Sequence, residues 1–457
     1  MRHGRDAAVT MPPWGHRSSS RVSTEAALEQ PLARPRWRVR WNIFLFTFAF
    51  GLIAYLEQKG PTIAGYRMMP ELGLTQMQLG WLQEAFLFGY TAFQFPSGLI
   101  GQYLGARRMF VLGGLIGVVA TIATPLAPLA LTGMALLAVL LAAQLLLGAS
   151  QAPIFPVSTG LYEPWFPPVQ WSVANGIDSM CLGLGIAITA PLISGLMERF
   201  GWQAALLATA LPALIIIPWW GWYGRNTPGE HPGVSATERA ELGHARPPTQ
   251  YSFSWARIRA LLGNRDLLLL TLSYLCMNYV FYLIGNWCFL YLVQERHFTV
   301  LEGGILAAGP PLCASLGAGV GGVLGTLLVK HYGVRIGLRA IPLVSLPAAG
   351  LLLLCAVSAA NAYLAAALLA LCFFAVELNE GPYWTAIMHV GGADTMSAGG
   401  VLNTGGNGGG LVAIPIIAYL SGHQHWTAAF LIGAAFAFAA GLLWLITEPT
   451  RGQGPAG

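Results

Sequence analysis

The sequence predicts an all-α polytopic membrane protein, with twelve transmembrane helices in two six-helix, pseudo-symmetric bundles. Three observations carry that prediction. Hydrophobic residues make up 55% of the chain and charged residues only 9%. A soluble domain carries about a quarter charged residues, so lipid must cover much of this surface. A bilayer crossing needs about 20 mostly apolar residues, and the chain offers that length twelve times. The basic residues alternate in step with those crossings.

In order, the apolar spans fall near 41–66, 78–104, 109–127, 131–158, 172–196 and 202–222, then 267–293, 303–330, 338–357, 360–388, 396–420 and 427–446. A polar stretch divides six spans from six. The expected organisation is a disordered cytosolic tail (1–40), an amino-terminal bundle (41–223), a cytoplasmic central loop (224–265), a carboxy-terminal bundle (266–447) and a second cytosolic tail (448–457). The first tail carries Arg2, Arg5, Arg17, Arg21, Arg34, Arg36, Arg38 and Arg40 and few acids. That gives it a faint likeness to an organelle transit peptide, but a disordered tail, or a start at Met11, accounts for the same composition.

Basic residues collect on the cytoplasmic side of membrane proteins. Of the 24 Arg and Lys, only Lys59, Arg67, Arg199 and Arg296 fall off the side that holds both tails, the Arg107-Arg108 turn and the central loop. Both termini are therefore expected in the cytoplasm, with the chain in the cell inner membrane. The six cysteines sit inside apolar runs without Cys-x-x-Cys spacing and read as small buried residues.

The halves echo each other. After the second span the chain reads Gly98-Leu-Ile-Gly101-Gln102-Tyr-Leu-Gly105-Ala-Arg107-Arg108. After the eighth it reads Gly322-Val-Leu-Gly325-Thr326, followed by Lys330, Gly333, Arg335 and Arg339. Repeated halves are a pattern of secondary transporters with a midplane site.

These stretches resemble the major facilitator superfamily, and within it most closely the anion:cation symporter family, whose members move hexuronate, galactonate, phthalate and sialic acid. The likeness runs from Trp41 to Leu445. It is carried by Tyr55-Leu-Glu57-Gln58, Gly80-Trp81, Gly89-Tyr90, Gln94-Phe-Pro96-Ser-Gly98, Gly148 to Pro156, Trp165-Phe166-Pro167-Pro168 and Gly201-Trp202-Gln203. The loop Thr227-Pro-Gly-Glu230-His231-Pro232 to Glu238 is a specific match, and later marks are Trp287, Gly381-Pro382-Tyr383-Trp384 and Asn403 to Asn407. The resemblance implies alternating-access transport of a small organic acid or sugar acid.

Departures from the family pattern are informative. Glu57-Gln58 replace an Asp-Arg pair, Gln144 an Arg and Gln151 a Glu. Gln102 and Thr326 stand at the acidic position of the repeated loop motif, and Gln170-Trp171 replaces an acidic-Arg pair. The arginines that would grip a carboxylate are missing. A cationic, zwitterionic or neutral solute therefore stays open beside the organic acid.

Ionisable residues inside a membrane are costly and point to function. Those here are Glu57, Glu84, Asp178, Glu377 and Glu380, against one embedded cation, Lys59. A carboxylate in low dielectric tends to hold its proton and can load and release it as a cavity opens to each side. Glu57, at the place the resemblance marks as a proton site, and Glu377 with Glu380 are the coupling candidates. The spacing of Glu377 and Glu380 predicts one helix face, ahead of Pro382, which can break the helix. Glu57 and Lys59 are two apart and should face apart. Substrate contacts are expected from Gln58, Lys59, Tyr90, Gln94, Gln144, Gln151, Tyr282, Asn286, Trp287, Trp384, Asn403 and Asn407. Gly98, Gly101, Gly105, Arg107 and Arg108 form the expected gating motif.

Other patterns read as packing. Gly317-x-Gly319-x-x-Gly322 matches a dinucleotide fingerprint as text, but no strand precedes it, and close helix contact is the expectation. The same holds for Gly113 with Gly117 and for Gly405 to Gly410. His423 and His425 are expected to be a solvated pair. No metal, cofactor or nucleic-acid partner is expected. No Ser-His-Asp or His-Glu-x-x-His arrangement supports an enzyme. A monomeric transporter of a small polar solute, coupled to protons in the lipid bilayer, is the leading reading. A non-transporting receptor on the same scaffold is the second.

Overall fold

A computed structural model describes residues 38–242 and 253–450. The amino-terminal tail up to residue 37, part of the central loop and the tail from 451 lie outside the described residues. The helices are α1 (Val39–Leu72), α2 (Gln76–Leu104), α3 (Ala106–Leu126), α4 (Gly133–Gln151), α5 (Ile154–Trp165), α6 (Trp171–Tyr223), α7 (Ala236–Glu241) and α8 (Trp255–Leu262). They continue with α9 (Arg265–Gln294), α10 (Val300–Ala307), α11 (Gly309–Ser358), α12 (Ala362–Glu377), α13 (Glu380–Gly391), α14 (Thr395–Gly422) and α15 (Trp426–Ile446). No strand occurs among the described residues.

Among the described residues, eight stretches are long and apolar enough to span a membrane. Three are double-length. Pro168–Tyr223 turns back at Gly201, Glu302–Ser358 turns back at Gly333, and Ala362–Gly422 turns back between α13 and α14. α2 adds the remaining crossing; Gln76, Gln78, Gln83, Glu84, Gln94 and Gln102 lower its hydropathy. The protein is thus an all-α bundle of twelve crossings in two pseudo-symmetric halves. Gly105 and Gly333, the matching glycines of the repeated motif, hold φ of 80° and 77°. Side chains rarely adopt that conformation, and both bends join one crossing tightly to the next.

Each half has its own apolar core. Ile43, Phe110, Val157, Trp165 and Trp220 lie in the first; Leu267, Met277, Tyr279, Leu353 and Ile387 lie in the second. Large apolar side chains such as Val119, Ile215, Leu351 and Leu442 face outward, as lipid contact requires. Glycines let helices approach closely, as their spacing predicts. A Cβ on Gly317 would lie 2.4 Å from the Phe374 carbonyl, and one on Gly113 2.8 Å from that of Ser150.

Helix order places the Arg107 turn, Arg225, Arg257 and the Gly333 bend on one face, here termed the basic face. The α1–α2 turn and the Gly201 bend lie on the opposite, far face. On the basic face α7 straps the start of α1. The amides of Val39 and Arg40 donate to the Glu238 carboxylate at 3.1 Å each, and Arg40 pairs with Glu238 and Glu241. A carboxylate suits this helix start, where amides lack intrahelical partners. His231 packs beside Tyr223 and Trp165; burial, with nearby Arg225, lowers its pKa.

Candidate functional site: a cavity between the halves

A cavity of about 570 Å³ lies between the two halves. α1 contributes Tyr55, Gln58 and Lys59; α2 contributes Glu84 and Tyr90; α4 contributes Gln151. From the other half come Tyr282, Asn286 and Trp287 of α9, Glu377 and Glu380 at the α12–α13 break, Trp384 of α13, and Asn403 and Asn407 of α14. No described residue from the last three turns of α2, or the first two turns of α6 or α14, lines it. The cavity therefore runs from mid-membrane toward the far face and has its floor on the basic side.

The floor is a seam of close backbone contacts. A Cβ on Gly176 would lie 2.6 Å from both the Ala318 carbonyl and Gly322 Cα, and one on Gly98 2.4 Å from the Met396 carbonyl. Met388 and Met396 of the second half seat in the core of the first. The two halves of the repeated motif act alike. Gln102 donates to the Ala393 carbonyl (2.7 Å) and accepts from the Met396 amide (3.1 Å), while Thr326 accepts from the Val173 amide (3.1 Å). Each neutral side chain thus meets an otherwise unpaired amide at the start of a crossing in the opposite half. Arg107 donates to the Gly221 carbonyl at 2.9 Å and takes Asn226 on its own amide at 2.9 Å; Arg108 is exposed.

The break at Leu378–Asn379 is held by Asn379, whose Nδ2 donates to the Ala375 and Val376 carbonyls at 3.0 and 2.9 Å. The predicted single helix face for Glu377 and Glu380 is thus replaced by two helix ends, which still bring both side chains to the cavity. Glu380 accepts from Tyr274 O–H (2.9 Å), Trp384 Nε1 (2.9 Å) and, across the halves, Ser179 O–H (3.3 Å). Phe155 stacks on Trp384 with centroids 6.1 Å apart. Tyr282 donates to Asn407 Oδ1 at 2.8 Å.

Four sequence candidates lie elsewhere. Glu57 is turned away from Gln58 and Lys59 by the helical step and lines a separate void of about 30 Å³ beside Gly113, Gly117 and Ser150. Ala54, Gln151 and Ile154 line both spaces, and Gln151 donates to Glu57 Oε2 at 3.3 Å. Gln144 lines a side chamber of about 100 Å³ together with Gln58 and Lys59 and donates to Thr124 at 3.3 Å. Gln94 lies below the floor, where Gly400 packs on its backbone (2.6 Å to a Cβ). Asp178 is buried and does not line the cavity. Glu57 and Lys59 make no ion pair, as their spacing predicts.

The profile of the Major Facilitator Superfamily matches residues 43–399. This chain belongs to the major facilitator superfamily. Among curated proteins, this facilitator is similar to the probable sulfoacetate transporter SauU of Cupriavidus necator, 27% identical, covering 80% of this chain and 84% of SauU. The probable galactarate/D-glucarate transporter GudP of Bacillus subtilis is 26% identical over 86% of this chain and 88% of its own. The hexuronate transporter of the same organism is 24% identical over 91% and 96%. These relatives are transporters of the anion:cation symporter type, in line with the resemblance read from the sequence. Among solved structures, the Escherichia coli fucose:proton symporter FucP superposes with a TM-score of 0.63 at 14% identity, covering 89% of this chain and 99% of FucP. The proton:xylose symporter XylE gives 0.71 at 12%, covering 90% and 96%. Both show the fold. The chain is a multi-pass membrane transporter of this superfamily, not an enzyme.

The facilitator's cavity also contains residues that the sequence reading passed over: Tyr55, Ser179, Tyr274 and Asn278. A signal for two of them was present. Tyr274, Asn278, Tyr282 and Asn286 recur every fourth residue through apolar α9, and that spacing draws a polar stripe along one face.

Proposed function

We propose that this protein carries a small organic acid across the cytoplasmic membrane by alternating access, with a proton as coupling ion. The observation that carries this reading is a mid-membrane cavity, closed toward the basic face, whose wall bears one cation, Lys59, with no ion-pair partner among the described residues. An unpaired ammonium in such a space is a natural seat for an acid group. The relatives' names, sulfoacetate and galactarate/D-glucarate transporter, support an anionic cargo. The distribution of Arg and Lys supports cytoplasmic termini, so the cavity faces outward. It is complete within one chain, which supports a monomer. Rocking of the halves about the seam would carry the cavity to the other side.

Glu57 is the first coupling residue in this reading, with Glu377 and Glu380 second. Glu57 is hydrogen-bonded to Gln151 of the cavity wall, so proton and cargo can occupy neighbouring sites linked by that side chain. In proteoliposomes, Glu57→Gln is expected to retain exchange of labelled organic acid but to lose accumulation driven by an imposed pH gradient, by about tenfold or more. Proton-driven accumulation at the wild-type level would remove Glu57 from the coupling step. No flux of any organic acid in wild-type protein would sink the transport reading itself.

A further inference from the structure

This inference rests on the transport reading above and narrows its cargo. Glu377 and Glu380 meet the same cavity but differ in what surrounds them. Glu380 receives donors from Tyr274, Trp384 and Ser179, so the protein itself balances its charge. Glu377 is 2% exposed, lines the cavity, and has no hydrogen-bond or ion-pair partner among the described residues. Leaving a buried carboxylate without a partner is costly. On the wall contributed by α1, Lys59 is likewise without an ion-pair partner among the described residues. Asn403 is 6% exposed, lines the same space and leaves its Nδ2 donor unmade.

A ligand with one charge satisfies only one wall. An anion on Lys59 leaves Glu377 unmatched and is repelled by it; a cation on Glu377 does the reverse to Lys59. A proton on Glu377 removes the charge but leaves its O–H without an acceptor. We propose that the cargo is a zwitterion, a small organic acid that also bears a protonated amine, with the acid group on Lys59 and the ammonium on Glu377. Phe281 and Phe373, which also line the cavity, offer aromatic faces to the ammonium. The unmade amide donor of Asn403 is free for an acid or hydroxyl oxygen of the ligand. Glu377 is then a cargo residue, and the coupling proton belongs to Glu57.

The test compares compounds that differ by the amine alone, on the purified full-length protein in lipid nanodiscs. Two pairs serve, each exchanging one hydroxyl for an ammonium: isethionate against taurine, and D-gluconate against D-glucosaminate. Binding is read by calorimetry and by thermal shift, which reports ligand held by the folded state. In wild-type protein the amine-bearing member of a pair is expected to bind about tenfold more tightly. In Glu377→Gln that order reverses, because the amine loses its partner and the amine-free acid loses a repelling charge. The wild-type comparison stands even if the variant folds poorly. If amine-free acids bind as well as their partners, or better, the zwitterion is overturned and the organic-acid transporter remains. If neither member of either pair binds, the zwitterion is likewise overturned, while the transport reading still rests on the flux measurement above.

Discussion

Lys59→Met is expected to lower organic-acid uptake by about 100-fold while leaving the protein's melting temperature near that of the wild type. Removing one member of a desolvated charge pair costs about 2–5 kcal/mol, and here the other member is the cargo. The fold loses little, because Lys59 lines the cavity and its side chain holds no other residue. Lys59→Arg keeps the charge but replaces a compact ammonium by a wider planar group, so it should recover part of the lost uptake. Saturable uptake by the Met variant at wild-type rate would take Lys59 out of the site.

Gly176→Val is expected to produce the second large effect, through geometry rather than charge. A Cβ at this position would lie 2.6 Å from the Ala318 carbonyl and from Gly322 Cα. Both are backbone atoms of the opposite half and cannot swing aside. Overpacking of this kind costs about 1–3 kcal/mol, and it is charged only to the state in which the basic-side seam is shut. The conformational equilibrium should therefore shift by about tenfold or more toward opening on that side, and net transport should fall with it. Hydrogen exchange in the first turns of α6 and in the facing part of α11 reports the change. Protection equal to wild type, with transport intact, would show that the seam does not open in the cycle.

Much of the architecture was legible in the sequence because lipid imposes a simple rule of length and apolarity on every crossing. The bends at Gly105, Gly201 and Gly333 fell where polar or basic residues interrupted those runs. The cavity was harder to read. α1 is apolar almost all round, so nothing in the order Glu57-Gln58-Lys59 says which of three diverging side chains faces the partner half. Gln94 lies one helical turn beyond Tyr90 and on its face, yet it falls beneath the floor. That depth is set by Gly400 of α14, more than three hundred residues away in the chain. Attention to ionisable groups found Lys59, Glu377 and Glu380, and Tyr282 and Asn286 were expected on α9, but Tyr274 and Asn278 of the same uncharged stripe were missed. The helix break was read from Pro382, whereas the chain parts at Leu378 and Asn379, and Asn379's side chain caps the carbonyls left open there.

The short helix that grips the first residues of α1 decides where the molecule can be divided. Glu238 and Glu241 bind Val39 and Arg40, so they belong to the amino-terminal half although they follow its last crossing. The carboxy-terminal half begins to hold itself at Arg257, through its contact with Asp394. The natural cut for separating or exchanging the two halves therefore lies after Leu242. A cut directly after Tyr223 would strip the first half of its own clasp.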